Sequence, residues 1–92
     1  MENLNHMKLK DEFVVHNTGS EIVIVGTGNS GFSGVVRGNQ TLGVILEFLA
    51  NDVTEEQIIT GMKERFDAAE GTIERDVSRA ISELRRIGAI DG

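Results

Sequence analysis

The chain has no cysteine and only two histidines, and these shortages limit the chemistry available to it. Without cysteine there are neither disulfides nor thiolate metal sites. His6 and His16 have no acidic or histidine partner at a metal-ligand spacing, so both are predicted to lie on the surface. No set of nucleophile, base and orienting group can be assembled from the other side chains. We therefore expect a non-enzymatic protein without a bound cofactor or metal.

Positive charge and long apolar runs are also scarce. The chain carries 9 Lys and Arg residues against 15 Asp and Glu residues, a net charge of −6. Residues 1–62 hold three basic and eight acidic side chains (−5), and residues 63–92 hold six and seven (−1). A negative field repels phosphate backbones, so nucleic-acid binding is disfavoured. No segment resembles a signal peptide or a membrane span, and we expect a cytoplasmic protein that does not bind membranes.

The length of the chain favours binding over catalysis. Its 92 residues, of which 39% are apolar and 26% charged, are typical of one globular domain with a single modest core. A domain of this size is poorly suited to enclosing a deep substrate cavity. Binding on a surface is therefore the expected mode of action.

A glycine-rich segment matches the spelling of a dinucleotide-binding loop. Residues 21–31, EIVIVGTGNSG, read as an apolar strand that runs into G-x-G-x-x-G. A dinucleotide site also needs a helix immediately after the glycines, so that its N-terminal N–H groups face the pyrophosphate. Residues 32–38, FSGVVRG, have strand composition instead, and Glu47, at about the offset of the acidic residue of such sites, lies in a segment with helical spacing. We interpret the glycines as a hairpin loop.

Period-two patterning predicts three strands in the first half of the chain. They cover Phe13–His16, Glu21–Val25 and about Phe32–Arg37, with turn residues at Asn17–Ser20. The first ten residues show no sustained period, so we predict a flexible arm over 1–10 and a folded domain over 11–92. Three consecutive antiparallel strands form a meander whose edge strands expose unpaired backbone groups.

The second half of the chain has the 3.6-residue period of helices. The first helix is predicted over Gln40–Ala50, and the second opens at Thr54 with a capping box that involves Gln57. Thr72 is predicted to cap the third helix, and Gly88 to end it. The predicted fold class is therefore α+β, with a three-stranded antiparallel β-meander followed by three helices.

A helical wheel divides the third helix into faces. Asp76 and Glu83 share one flank, and Arg75, Arg79 and Arg86 lie opposite the apolar arc. This arc consists of Ile73, Val77, Ala80, Ile81, Leu84 and Ile87. We interpret the arginines as a solvated face. The alternative is a DNA-reading surface.

The ordered set of patterns along the chain resembles the PqqD family, the pyrroloquinoline-quinone biosynthesis D proteins and their relatives. The patterns are N-x-T-x-x-x-I-L-x-x-L at 39–49, D-V-T-x-E-x-I at 52–58 and I-x-x-D-V-x-x-A-I-x-x-L-x-x-x-G at 73–88, behind a short meander. The resemblance covers about residues 9–91. It implies a winged-helix-like RiPP recognition element, a non-catalytic domain that binds the leader segment of a ribosomally made precursor peptide.

In that family the leader adds as an extra strand beside the third strand and along the third helix, and is presented to a modifying enzyme, often a radical S-adenosylmethionine (SAM) enzyme. The resemblance implies two sets of peptide-binding residues here. The strand set is Ser33, Gly34, Val35, Val36 and Arg37, and the helix set is Asp76, Arg79, Ala80, Glu83 and Leu84. The sequence alone leaves open which flank of the helix faces the peptide.

This sequence departs from the family pattern at two positions. The family often has a leucine where Gly38 stands and a larger apolar residue where Ala80 stands. These departures favour a relative that serves another peptide product over the quinone pathway itself. Two other functions remain as alternatives. One is a winged-helix DNA-binding regulator that uses Arg75, Arg79, Arg85 and Arg86, and the other is a docking subunit that binds an enzyme without touching its peptide.

Overall fold

The computed structural model describes residues 6–28 and 33–92. The predicted meander and three helices are confirmed, and two short strands near the ends of the chain are added to them. In chain order the elements are β1 (Lys8–Leu9), β2 (Phe13–Asn17), β3 (Ile22–Thr27), β4 (Ser33–Gly38), α1 (Gln40–Phe48), α2 (Glu55–Arg65), α3 (Thr72–Arg86) and β5 (Ile90–Asp91).

The meander is an antiparallel sheet in the order β2-β3-β4. Its central strand alternates, with Ile22 and Ile24 buried on the inner face and Val23 and Val25 half-buried on the outer face. This alternation fits a sheet that packs against the protein on one side only. The β2–β3 turn is closed by the Thr18 N–H, which donates to the backbone oxygen of Glu21 at 3.0 Å.

The glycine-rich segment connects two antiparallel strands, as predicted. The strand before it runs to Thr27 and the strand after it begins at Ser33, with Gly26 opposite Gly34. Because a strand follows the loop where a dinucleotide site requires a helix, the hairpin interpretation is confirmed. The predicted start of the third strand at Phe32 lies outside the described residues.

The flexible arm predicted over residues 1–10 is not what the structure shows from Met7 onward. Met7 is 2% exposed and exchanges backbone hydrogen bonds with Val53, at 2.7 and 3.0 Å. Lys8 and Leu9 pair with β5, and the Leu9 N–H donates to Leu49 O at 2.9 Å. A two-residue strand is too short to show a period, and its partner lies at the far end of the chain. Residues 1–5 lie outside the described ranges.

The helix ends follow the predicted capping with two differences. The Thr54–Gln57 capping box is present at α2, with backbone-to-side-chain distances of 2.9 and 3.1 Å. Thr72 is not the cap of α3: it is the first helical residue, and Gly71 occupies the N-cap with φ +86°. A threonine disfavours that left-handed conformation, whereas glycine adopts it readily. The first helix also ends earlier than Ala50, at Phe48.

The end of α3 confirms the role predicted for Gly88. Its φ is +76°, its N–H donates to Arg85 O at 3.0 Å, and the Ala89 N–H donates to Leu84 O at 2.8 Å. This pair of bonds is a Schellman motif, which turns the chain sharply after a helix. The turn sends residues 90–91 back to pair with β1.

One apolar core holds these elements together. It combines the terminal strands, the inner face of the meander and one face of each helix. Its buried members are Met7, Phe13, Ile22, Ile24, Ile45, Leu46, Leu49, Ile58, Met62, Ile73, Val77, Ile81, Leu84, Ile87, Ala89 and Ile90. The third helix contributes more of these buried side chains than α1 or α2, with Ile73, Val77, Ile81 and Leu84 on its inner face.

Candidate functional site

The outer edge of β4 carries backbone groups that no other described strand pairs with, since β4 stands last in the sheet order. Hydrogen bonds at both ends of the β2–β3 ladder, from the Thr18 N–H to Glu21 and from the Thr27 N–H to Glu12, fix which residues face which neighbour. Bonded and non-bonded pairs alternate along an antiparallel ladder. The backbone of β3 therefore faces β4 at Ile22, Ile24 and Gly26.

The same alternation continues into β4. The partners of those three residues are Gly38, Val36 and Gly34, so their backbone groups point towards β3. The N–H and C=O groups of Val35 and Arg37 consequently point outward, away from the sheet. Val35 and Arg37, which are separated by one residue, therefore offer the hydrogen-bonding pattern that an added strand requires.

A groove of about 340 Å³ lies beside this edge, between β4, the start of α1 and one flank of α3. Its apolar lining comes from all three elements and from the inner face of β3, while charged side chains stand along α3. The lining residues are Ile24, Val36, Arg37, Gly38, Asn39, Thr41, Leu42, Ile45, Asp76, Arg79, Ala80, Glu83, Leu84 and Ile87.

The residues that line the groove show which flank of α3 faces the edge strand. It is the flank that carries Asp76 and Glu83, together with Arg79, Ala80 and Leu84. All five helix residues implied by the family resemblance therefore line one surface. The arginines predicted to lie opposite the apolar arc of α3 differ in position. Arg79 lines the groove, whereas Arg75 does not.

The strand residues implied by the resemblance occupy two positions relative to the groove. Val36 and Arg37 line it. Gly34 and Val35 belong to β4 but do not line the groove, and Val35 is 56% exposed. Ser33 begins β4 opposite Thr27. Among the strand residues whose side chains the structure describes, those that line the groove therefore lie near the C-terminal end of β4.

Seven lining residues were not predicted from the sequence. They are Ile24, Gly38, Asn39, Thr41, Leu42, Ile45 and Ile87. Asn39 and Thr41 belong to the family-like pattern at 39–49, which is the one signal that pointed to this region. The start of α1 comes next to β4 because the two are joined directly, and the Asn39 side chain caps the helix by accepting from the Leu42 N–H at 3.0 Å.

Glycine at position 38 allows α1 to approach the strand. A Cβ atom there would collide with the Leu42 side chain, which occupies that space. Gly43 has a similar role in the first half of α1, since a Cβ atom would lie 2.7 Å from Ile22 Cδ1. Gly38 therefore leaves room for the Leu42 side chain beside β4, and Gly43 leaves room for the Ile22 side chain against α1.

Charges along the groove differ in whether they are already paired. Glu83 accepts from Arg86 at 2.8 Å, and this hydrogen bond lowers the pKa of the Glu83 carboxyl and raises that of Arg86. Arg37 and Glu21 are 3.9 Å apart, both exposed. Asp76 and Arg79 have neither an ion pair nor a side-chain hydrogen bond within residues 6–28 and 33–92.

The remainder of the described surface offers little chemistry. No group of three His, Cys, Asp or Glu side chains within it has a geometry that would hold a metal ion. Across the described ranges, no helix is both long enough and apolar enough to cross a bilayer. Lys63 pairs with Glu74, which lowers the pKa of that carboxyl, and the other oxygen of Glu74 is buried without a hydrogen-bond partner among these residues.

The sheet, helices and groove together define a winged-helix-like α+β domain with an open strand edge beside its last helix. The family model of coenzyme PQQ synthesis protein D (PqqD) matches residues 12–90, and the chain belongs to the PqqD family. The resemblance recognised in the sequence is thereby confirmed.

A solved structure has the same fold. It is TbiB1 in complex with the TbiA(beta) leader peptide, which matches with a TM-score of 0.75 at 18% identity, over 92% of this chain and 95% of that one. No curated protein sequence matches this chain significantly.

Proposed function

We propose that this protein is a RiPP recognition element that binds the leader segment of a ribosomally made precursor peptide and presents it to a modifying enzyme. The observation that carries the proposal is the outward-facing backbone of Val35 and Arg37 beside the groove on α3. Family membership and a structural relative solved with a leader peptide support the same function. The domain itself has no catalytic role in this proposal.

The binding mode is strand addition. An extended leader hydrogen-bonds to the free edge of β4, and every second side chain of the leader points towards the groove. The apolar lining offers a dry contact for those side chains, with Val36, Leu42, Ala80 and Leu84 among its members. The ten residues Ser33, Gly34, Val35, Val36, Arg37, Asp76, Arg79, Ala80, Glu83 and Leu84 are the proposed contact set.

Nuclear magnetic resonance titration tests this mode directly. Isotope-labelled protein is titrated with synthetic peptides that tile the leader half of precursors encoded beside its gene. We expect the largest amide shifts in β4 and along the Asp76–Leu84 flank of α3. Shifts confined to α1 and α2 would contradict strand addition at this edge.

The proposed partner is a modifying enzyme of a class such as the radical SAM enzymes. A leader-presenting domain predicts that co-purification of the domain, enzyme and precursor weakens when the leader is deleted from the precursor. The alternative of a docking subunit that contacts only the folded enzyme predicts no dependence on the leader. The same pull-down, with and without the leader, therefore separates the two.

A further inference from the structure

The wall that α3 forms along the groove is lowest at one residue with a short side chain, and this position is called the low point below. Among the residues of α3 that line the groove, Ala80 alone has a side chain no longer than a methyl group, and it is half-buried. Asp76 and Leu84 stand one turn before and after it on the same helix face, because residues four apart are surface neighbours. A ligand side chain that enters between them meets the shortest stretch of the wall.

One carboxylate beside that low point has no partner among the residues that the structure describes. Asp76 is half-buried and forms no ion pair or side-chain hydrogen bond with the described residues, whereas Glu83 on the same flank is held by Arg86. A peptide that covers the groove removes water from Asp76. Covering an unpaired carboxylate is costly, so the ligand must supply a donor or a positive charge in exchange.

Arg79 does not remove this requirement. It also lines the groove and also lacks a partner among the described residues, but it is exposed, and no ion pair joins it to Asp76. A long, exposed arginine keeps its guanidinium in water while its methylene groups cover apolar surface. A half-buried aspartate has no comparable freedom, so Asp76 is the charge that discriminates between ligands.

The spacing of side chains along one face of a helix nearly equals the spacing along one side of a strand. Residues four apart on a helix are separated by about 6 Å along its axis. Alternate residues of an extended strand, which point to the same side, are separated by about 6.7 Å. Two alternate side chains of a leader that follows α3 therefore meet Ala80 and Asp76 at the same time.

We propose that the groove selects a leader with a large apolar side chain that packs over Ala80 and a lysine or arginine two positions away that pairs with Asp76. This inference rests on the proposed function, since it assigns the chemistry of the peptide that the domain binds. The selectivity resides in this chain's own residues 76 and 80. It predicts a preference for cationic over acidic residues at one position only.

The test is a selection from a displayed library of random twelve-residue linear peptides on the purified full chain. We expect the wild-type protein to enrich peptides in which a large apolar residue and a Lys or Arg are separated by one residue. Selection is repeated on Asp76→Asn and Asp76→Lys, with Asp52→Asn, an exposed aspartate outside the groove, as the matched control. Circular dichroism confirms that each variant is folded.

The variants give opposite expected results. Asp76→Asn should abolish the cationic preference and weaken binding of the best wild-type peptide about tenfold, the range of one hydrogen-bonded charge. Asp76→Lys should enrich acidic residues at the same spacing, and Asp52→Asn should leave the preference unchanged. A cationic preference that persists in Asp76→Asn overturns the proposal.

Ala80 is tested separately from the charge. Ala80→Leu should replace large apolar residues by small ones in the selected peptides and keep the cationic position, and Ala80→Met serves if the leucine variant does not fold. Unchanged residue size in the folded variant overturns the role of Ala80. Peptides that bind at β4 without the paired spacing overturn this inference alone, whereas a library that yields no binder to any variant counts against leader binding itself.

Discussion

The meander has two edge strands, and one of them, β4, borders the groove on α3. Both β2 and β4 end the sheet, and both expose valine side chains, at 43% for Val14 and 56% for Val35. Of the residues that the structure describes, β4 contributes three to the groove and β2 contributes none. The two edges therefore differ in the side chains beside them and not in the presence of unpaired backbone groups. Strand addition obtains its specificity from side-chain pockets beside the edge.

Proline substitution compares the two edges most directly, because proline removes one backbone N–H and is tolerated where that N–H faces solvent. Val35→Pro removes an outward donor from β4 and should weaken leader binding about tenfold to a hundredfold, through one lost hydrogen bond and the altered edge. Isothermal titration calorimetry with a leader peptide that binds the wild type measures the change.

The matched control lies on the other edge. Val15 pairs with Ile24 at a position where the β2 backbone also points outward, so Val15→Pro removes the equivalent donor from β2. Its leader affinity should equal that of the wild type. Equal losses in both variants, with the fold retained, would mean that the two edges are not functionally distinct.

Helix caps give a smaller effect that separates stability from binding. Asn39 caps α1 and lines the groove, whereas Thr54 caps α2 and does not. Asn39→Ala and Thr54→Ala should each lower the free energy of unfolding by about 1 kcal/mol in urea denaturation. Only Asn39→Ala should also weaken leader binding. If Thr54→Ala weakens binding as much, the groove contact at Asn39 has no specific role in recognition.

Acid should weaken the ion pairs of α3 before it affects the apolar core. The folded-state pKa of Glu83 lies below its ordinary value of 4.5, because Arg86 donates to the carboxylate. A lowered pKa stabilises the folded state at pH values above 4.5. This stabilisation is lost as the pH falls through the folded-state pKa of Glu83. Urea denaturation as a function of pH should therefore show a shallower acid limb for Glu83→Gln than for the wild type.

Glu74 provides the comparison within the same helix. Its pKa is lowered by the hydrogen bond from Lys63 on α2, so Glu74→Gln should also flatten the acid limb. Glu83 lines the groove and Glu74 does not. Acid limbs identical to that of the wild type in both variants would show that neither pair contributes to stability.

Local patterns in the sequence identified most of the fold. The alternation over residues 22–25, the Thr54–Gln57 capping box and the role of Gly88 each depend on neighbours within a few positions, and each is confirmed. The β1–β5 pairing and the burial of Met7 depend on contacts between residues far apart in the chain, a separation at which period and propensity give no signal. The prediction that Thr72 caps α3 is wrong, because threonine is a preferred capping residue but Gly71, in a left-handed conformation and without a side-chain cap, occupies the N-cap position.

The candidate site was only partly predictable for the same reason. The helical wheel placed Asp76 and Glu83 on one flank, but the choice of flank required the tertiary position of β4. The α1 wall, which includes Leu42 and Ile45, was missed because its side chains fit core periodicity and groove lining equally well. A sequence pattern records which residues share a face, and only packing decides what that face meets.

The smallest expected effect concerns the arginines of α3, which separate leader binding from DNA binding. Arg86 is paired with Glu83, and Arg85 donates to Gly92 O at 3.0 Å. Two of the four arginines that the DNA-binding alternative requires therefore already have partners within the protein. With a net charge of −6, the protein should show no binding to duplex DNA by fluorescence anisotropy, even at low salt. An affinity that falls steeply with added salt, and that Arg75→Gln together with Arg79→Gln abolishes, would instead assign this face to nucleic acid. Leader binding would then no longer explain why Asp76, on the groove flank of the same helix, lacks a partner among the described residues.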